Sequence, residues 1–188
     1  MTNSVQPDSN GWIMGEDGLL FRKAARIIAT DEHGRLLLMK GHDDKDPLHR
    51  WWFTPGGGID AGENPRHAAV REFHEETGVH LDPELLTGPV IEREAVFYFS
   101  QETRRQHEVF FWAKLNDTQA RDVLTQEGVS YTDLEKEVLD GLAWRTPENI
   151  EADSALPQAI PSYPHNLPQV VRCLLDGWDG KVFSVVEK

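Results

Sequence analysis

Apolar residues recur along this chain with two periods, and the switch between them marks its elements. Arg22–Thr30 holds the apolar run AARIIA, which predicts a buried strand. Asp31-Glu32-His33-Gly34 predicts a turn, and Arg35–Met39 the return strand. Gly41–His49 is polar, contains Pro47 and is expected to be a loop; Trp51–Thr54 is a short strand entering Pro55 and three glycines. From Pro65 the period lengthens to that of a helix, with Ala69, Val70, Phe73 and Thr77 on one face. Val90–Ser100 and Glu108–Leu115 predict strands joined by a charged hairpin around Gln101–His107, with Phe97, Phe99, Phe111 and Trp112 packing on sheet faces. Asp117–Tyr131 is expected to be irregular. Leu134–Asp140 predicts a helix, Leu142–Arg145 a strand and Pro147–Ile150 a turn or short helix. Residues 151–168 read as Pro-rich loop, Pro168–Asp176 as a terminal helix and Val182–Val186 as an extra strand. Mixed strands with one central and one late helix predict a layered α/β sandwich. Residues 1–18 read as a flexible arm, and 19–188 as a single domain with a C-terminal helical extension.

The central helix carries unusual charge. Asn64 and Pro65 supply a start signal, and Gly78 a stop. Glu72, Glu75 and Glu76 stand at i, i+3 and i+4, so they share a stripe beside the apolar face. Like charges at that spacing repel by a few tenths of a kcal/mol, roughly, on an exposed helix. Two of them also lie near the helix C-terminus, where the macrodipole disfavours anions. A hard divalent cation removes both penalties. Oxygen donors of this kind select Mg²⁺ or Mn²⁺ over Zn²⁺.

Composition narrows the picture. The chain has 188 residues, 32 acidic against 19 basic, and a net charge of −13. That excess argues against general nucleic-acid binding, while a metal and a few arginines still suit a phosphorylated small molecule. No apolar run is long enough to span a membrane, and no signal peptide is expected at the N-terminus. The single Cys173 sits among Val170, Val171, Leu174 and Leu175, which predicts a packed thiol in a reducing, cytoplasmic setting. His67 and His74 lie off the carboxylate stripe and read as surface residues.

The segment Gly57–Val79 fits the pattern G-x5-E-x7-R-E-(apolar)-x-E-E-x-G-(apolar), through Gly57, Glu63, Arg71, Glu72, Phe73, Glu75, Glu76, Gly78 and Val79. With this motif the chain resembles the Nudix hydrolases. The resemblance implies an α/β/α sandwich with a mixed β-sheet. It also implies Mg²⁺- or Mn²⁺-dependent attack of water on a pyrophosphate link in a nucleoside diphosphate derivative. Glu72, Glu75 and Glu76 would be metal ligands, supported by Glu63 and the Gly56 carbonyl; Arg71 would orient the glutamates, and Gly57 would permit the loop turn. Such proteins are often dimers, which makes a second copy of the chain an expected partner. Two other classes stay open at this point: a catalytically silent nucleotide sensor, and an isoprenyl-diphosphate isomerase, which would use a central cysteine that this chain lacks.

The general base is open between Glu75 and a glutamate from a later segment, Glu135 or Glu137, with Glu108 a third position. Each of the last three is also explained as an ordinary surface charge. For the substrate, Arg22, Arg26 and Arg50 are candidates to hold phosphates. Trp51, Trp52 and Trp144 are candidates to stack a base, with core packing the competing reading.

Overall fold

The computed structural model describes residues 11–188. Ten strands form one mixed sheet. They are β1 (Ile13–Met14), β2 (Leu20–Thr30), β3 (Leu36–Asp43), β4 (Asp46–Phe53), β5 (Gly56–Gly58), β6 (Thr87–Tyr98), β7 (Thr103–Lys114), β8 (Leu139–Arg145), β9 (Ser162–Tyr163) and β10 (Phe183–Glu187). The helices are α1 (Pro65–Thr77), α2 (Asp117–Thr125), α3 (Asp133–Val138), α4 (Pro147–Ser154) and α5 (Leu167–Leu175). The main path runs β10-β6-β7-β2-β3-β4-β9, with β1 and β5 on β2 and β8 on β3. The β2–β7, β6–β10 and β4–β9 pairs are parallel and the rest antiparallel.

Alternation along β2 separates two cores. Ala25, Ile27 and Ala29 point to one face, where Ala68, Ala69 and Phe73 of α1 and Ala120 and Val123 of α2 cover them. Ile28 points to the other face, onto Leu167, Val170, Val171 and Leu174 of α5 and Ile150 of α4. The sheet is therefore enclosed between two helical layers, as the α/β/α expectation required. Phe73 is fully buried, a burial worth about 2–3 kcal/mol.

The glycine turn and α1 are fixed at both ends. Asn64 accepts a hydrogen bond from the Arg66 amide and caps α1, with Pro65 in its first turn. Arg66 then donates to the carbonyls of Leu86 and Gly88, which binds the start of α1 to the start of β6. At the other end Gly78 adopts φ 74°, and its amide closes on the His74 carbonyl.

Several expectations change. Gly41–His49 is a hairpin and not a loop: β3 and β4 pair as far as Asp43 and Asp46. Pairing of β3 with β8 on its other side extends it, and Pro47 is tolerated on the exposed part of β4. Within Asp117–Tyr131 lies α2, which the Asn116–Gln119 capping box starts. Pro147–Ile150 extends into α4, and Ser162–Tyr163 of the Pro-rich stretch pairs with β4. Of the expected arm, residues 1–10 lie outside the described residues; Trp12 is buried and Ile13–Met14 pairs with β2. His74 is half-buried under His80, their rings stacked 3.5 Å apart. No described helix is long and apolar enough to cross a membrane.

A Cβ at position 78 would overlap the Glu127 carbonyl as well as forcing a side chain into the left-handed region. Gly78→Ala is expected to cost more than about 1 kcal/mol in urea unfolding; an unchanged midpoint would remove this stop from the account.

Candidate active site

The site is built where β5 passes between β2 and α1. Arg26, Ala25 and Ala24 of β2 pair with Gly56, Gly57 and Gly58. A Cβ at 57 would displace the Glu72 carboxylate, and one at 56, where φ is 133°, would collide with the β2 backbone at Ala25 and Arg26. Two side chains grip Gly56 from opposite directions. Its amide donates to Glu76 Oε2 at 2.7 Å, and its carbonyl accepts from Arg26 Nη1 at 2.7 Å.

Arg71 gathers the remaining carboxylates. Its Nε and Nη2 donate to the two oxygens of Glu63 at 3.0 and 2.9 Å, and Nη2 also reaches the Gly58 carbonyl at 2.9 Å. Its Nη1 donates to Glu72 at 2.8 Å and reaches Glu75 at 3.5 Å. Glu63 further accepts from the Asp60 amide. Three glutamates, Glu63, Glu72 and Glu75, thus meet one guanidinium. Among the described residues no three His, Cys, Asp or Glu side chains converge on a common point suited to a metal ion. The reason lies in these bonds: Arg71 draws Glu72 and Glu75 toward itself, and Glu76 is turned to Gly56.

Burial sets the charge states. Glu76 is 5% exposed, and that burial, with the neighbouring Glu72 charge, pushes its carboxyl well above the usual range. Burial also raises Glu72, against the opposing pull of Arg71. Glu63 is held low, first by its hydrogen bond from Arg71. A buried carboxyl with its pKa raised is one short of positive charge. Oxygen-only donors around such a deficit fit a hard divalent cation. Glu76 was expected on a stripe beside the apolar face; it is itself buried, because the Gly56 turn packs over it.

The base candidates separate in space. The segment after α2 closes over the end of α1, with the Ser130 amide on the Glu75 carbonyl and the Tyr131 hydroxyl on the Glu76 carbonyl. This brings α3 close enough for the Glu135 charge to act on both Glu76 and Tyr131, whose phenol is pushed up to about 12, chiefly by burial. Glu135 itself is held in a capping box, accepting from the Thr132 amide and hydroxyl at 2.7 Å each. Glu137 is exposed, and its charge acts on Lys45 at the β3–β4 turn. Glu75 is the most accessible of the three helix glutamates, 43% exposed. Glu108 is fully buried between Arg26 and Arg93, so neither the base nor the edge-strand reading of it stands.

The substrate candidates are redistributed. Arg26 is committed inward, to Glu108 and the Thr54 and Gly56 carbonyls. Arg50 donates to the Pro47 carbonyl and lies 4.0 Å from Asp140, in the hairpin. Trp52 packs on the α5 side of the sheet, and Trp144 packs against the α1-side core with its indole N–H on the Ala120 carbonyl. Both are partly buried and pack against the two cores. Arg22 lines a cavity of about 360 Å³ with Lys23, Ile59, Asp60 and Glu63, beside the carboxylates. Burial foremost lowers its pKa to about 10, and the Glu72 charge acts on it.

Sequence reasoning missed the hairpin-tip aromatics as a group. Asp43 accepts from the Ser100 amide and hydroxyl at 2.7 and 3.0 Å, which ties the β3–β4 and β6–β7 tips together. Trp51 then meets Phe99 at 5.9 Å, and Phe99 stacks on Phe97 at 6.0 Å. Only the tertiary contact between two hairpins reveals this line of rings.

This fold and carboxylate-bearing glycine turn define a class, and the comparisons give its name. The NUDIX domain family matches residues 20–165, and the chain belongs to the Nudix hydrolase family. It is similar to the RNA pyrophosphohydrolase of Bartonella quintana, 52% identical over 66 residues, covering 32% of this chain and 38% of that protein. It is also similar to the RNA pyrophosphohydrolase of Novosphingobium aromaticivorans, 42% identical over 62 residues, covering 33% and 37%. The matched segments thus span under two fifths of these relatives' length. Among solved structures, a C. elegans Ap4A hydrolase binary complex shares the fold with TM-score 0.54 at 20% identity, covering 84% of this chain and 99% of that one.

The raised Glu76 carboxyl has a consequence for stability. Its folded form binds a proton that the unfolded chain releases near the ordinary value, about 4.3. Metal-free protein should therefore lose stability as pH rises from there through the folded value. Glu76→Gln removes that loss and keeps an acceptor for Gly56. Thermal unfolding without metal at pH 8 should show the variant melting at least about 2 °C above wild type; an equal or lower melting temperature would contradict the assigned charge state.

Proposed function

We propose that the chain hydrolyses a pyrophosphate link in a nucleoside diphosphate derivative, using Mg²⁺ or Mn²⁺ held by Glu72, Glu75 and Glu76. The observation that carries this is the deficit of positive charge at the Gly56–Gly58 turn, where Glu63, Glu72 and Glu75 share the Arg71 guanidinium and burial holds the Glu76 carboxyl well above its usual range. The names of its relatives, RNA pyrophosphohydrolase and Ap4A hydrolase, support a pyrophosphate link as the bond cut. The net charge of −13 favours a small nucleotide over an extended nucleic acid.

A bound divalent cation would supply charge neutralisation at the phosphates and acidify the attacking water. The protein's own groups do the rest. Arg71, anchored on Glu63 and Gly58, would keep Glu72 and Glu75 placed to hold that cation. Glu75, accessible and held by one long contact, receives the proton of the water. Arg22 holds a phosphate from the cavity side. The Trp51–Phe99 rings offer a stacking surface for the base. The glycine backbone lets the phosphates approach closely. We place the activity in the cytoplasm, in keeping with the lone thiol of Cys173.

Phosphatase-coupled phosphate release with Mg²⁺ should be screened across ADP-ribose, dinucleoside polyphosphates, nucleoside triphosphates and sugar nucleotides. One class should turn over, and Glu75→Gln or Glu76→Gln should lower kcat by about a thousandfold with the fold retained. Undiminished turnover in both variants would sink the proposal. Glu135→Gln should stay within about tenfold of wild type, since its carboxylate serves the α3 cap; a loss matching that of Glu75→Gln would move the base to Glu135.

A further inference from the structure

The β7 strand carries a buried polar pair whose reach extends into the site. Glu108 is fully buried on β7, between β2 and β6, on the face that Phe110 and Trp112 share. Its Oε1 accepts from Arg26 Nε at 2.6 Å, and its Oε2 from Arg93 Nη1 at 2.6 Å. Gln106, two residues away on the same face, is 5% exposed. In the amide orientation that satisfies both its ends, its nitrogen donates to Glu108 Oε1 at 3.0 Å. Its oxygen then accepts from Nη2 and Nε of Arg22, each at 3.2 Å. Arg93 continues the chain to Glu187 of β10.

We infer that Glu108 and Gln106 are positioning residues for the phosphate end of the substrate, acting through Arg26 and Arg22. Glu108 sets the Arg26 guanidinium that holds the Thr54 and Gly56 carbonyls, and so the turn on which Glu76 rests. Through Gln106 it also sets the Arg22 fork beside Glu72. Neither residue touches the reacting atoms. One carboxylate thereby couples the two sides of the phosphate site, the glycine turn and the arginine arm. Both Arg22 contacts go to a single amide oxygen, which fixes the plane of the fork as well as its place. A guanidinium that must present two parallel N–H groups to a phosphate benefits from that orientation more than a point charge would. Structural packing alone accounts for a buried Glu–Arg pair. It does not account for a buried amide linking that pair to an arginine on a cavity wall.

This inference rests on the hydrolase reading above. The test is a double-mutant cycle read by kcat/KM on whichever substrate of the panel turns over fastest, with Mn²⁺ affinity followed separately. Gln106→Met keeps the volume and leaves the Glu108 ion pairs intact, so it avoids the folding defect that Glu108→Gln risks. It should lower kcat/KM about tenfold or more while Mn²⁺ affinity stays within twofold. Arg22→Gln should lower it at least as far, and the double variant no further than Arg22→Gln alone. Losses that multiply, or a Gln106→Met variant within twofold of wild type, would overturn the positioning role. Wild-type protein inert across the whole panel would instead overturn the hydrolase reading, which separates the two failures.

Discussion

The peptide unit at Gly56 is held from both sides, and the site depends on that grip. Glu76 takes its amide and Arg26 its carbonyl. A strand this short, three residues long, has little pairing of its own to fix it. The side chains therefore do what longer strand pairing does elsewhere. Gly57 lets the Glu72 carboxylate lie against the backbone, where any Cβ would push it away. Arg71 secures the next residue through the Gly58 carbonyl. Turn and helix thus fix each other: the helix supplies the carboxylates that hold the turn, and the turn buries them.

That burial leaves the site short of positive charge. Glu108, also fully buried, meets two arginines; they outweigh the cost of burial and hold its carboxyl below the ordinary range. Glu76, nearly as buried, meets a backbone amide and a like charge, and its carboxyl is raised. The contrast between these two glutamates separates a structural ion pair from a place where charge is missing. Both belong to one network, joined through Arg26.

The helix was legible because its signals are local. Asn64, Pro65 and Gly78 bound α1, and the i, i+3, i+4 spacing puts three glutamates on neighbouring positions of the helix, while their side-chain partners came only with the fold. The sheet core was equally legible from the AARIIA run. Long-range pairing was not. Gly41–His49 has the composition of a loop, and only its pairing with β8 and β4 makes it strand. The α2 cap at Asn116 was written in the sequence, but two buried apolar residues gave its helix too little periodicity to stand out. Arg26 and Trp52 looked like ligands for a substrate because exposure and depth do not follow from residue type; alternation turned Arg26 inward and laid Trp52 against the core. Glu108 showed nothing of its importance, since its two arginine partners come from strands 82 and 15 residues away.

The central claim is that the carboxylates at this turn await a divalent cation, with a proton held in its place at Glu76. Calorimetric titration of the metal-free protein with Mn²⁺ near pH 6, in two buffers of different ionisation heat, measures both events at once. Saturable binding with net proton release, and a smaller release from Glu76→Gln, is the result expected. Absence of saturable binding, or binding without proton release in the wild type, would contradict the account.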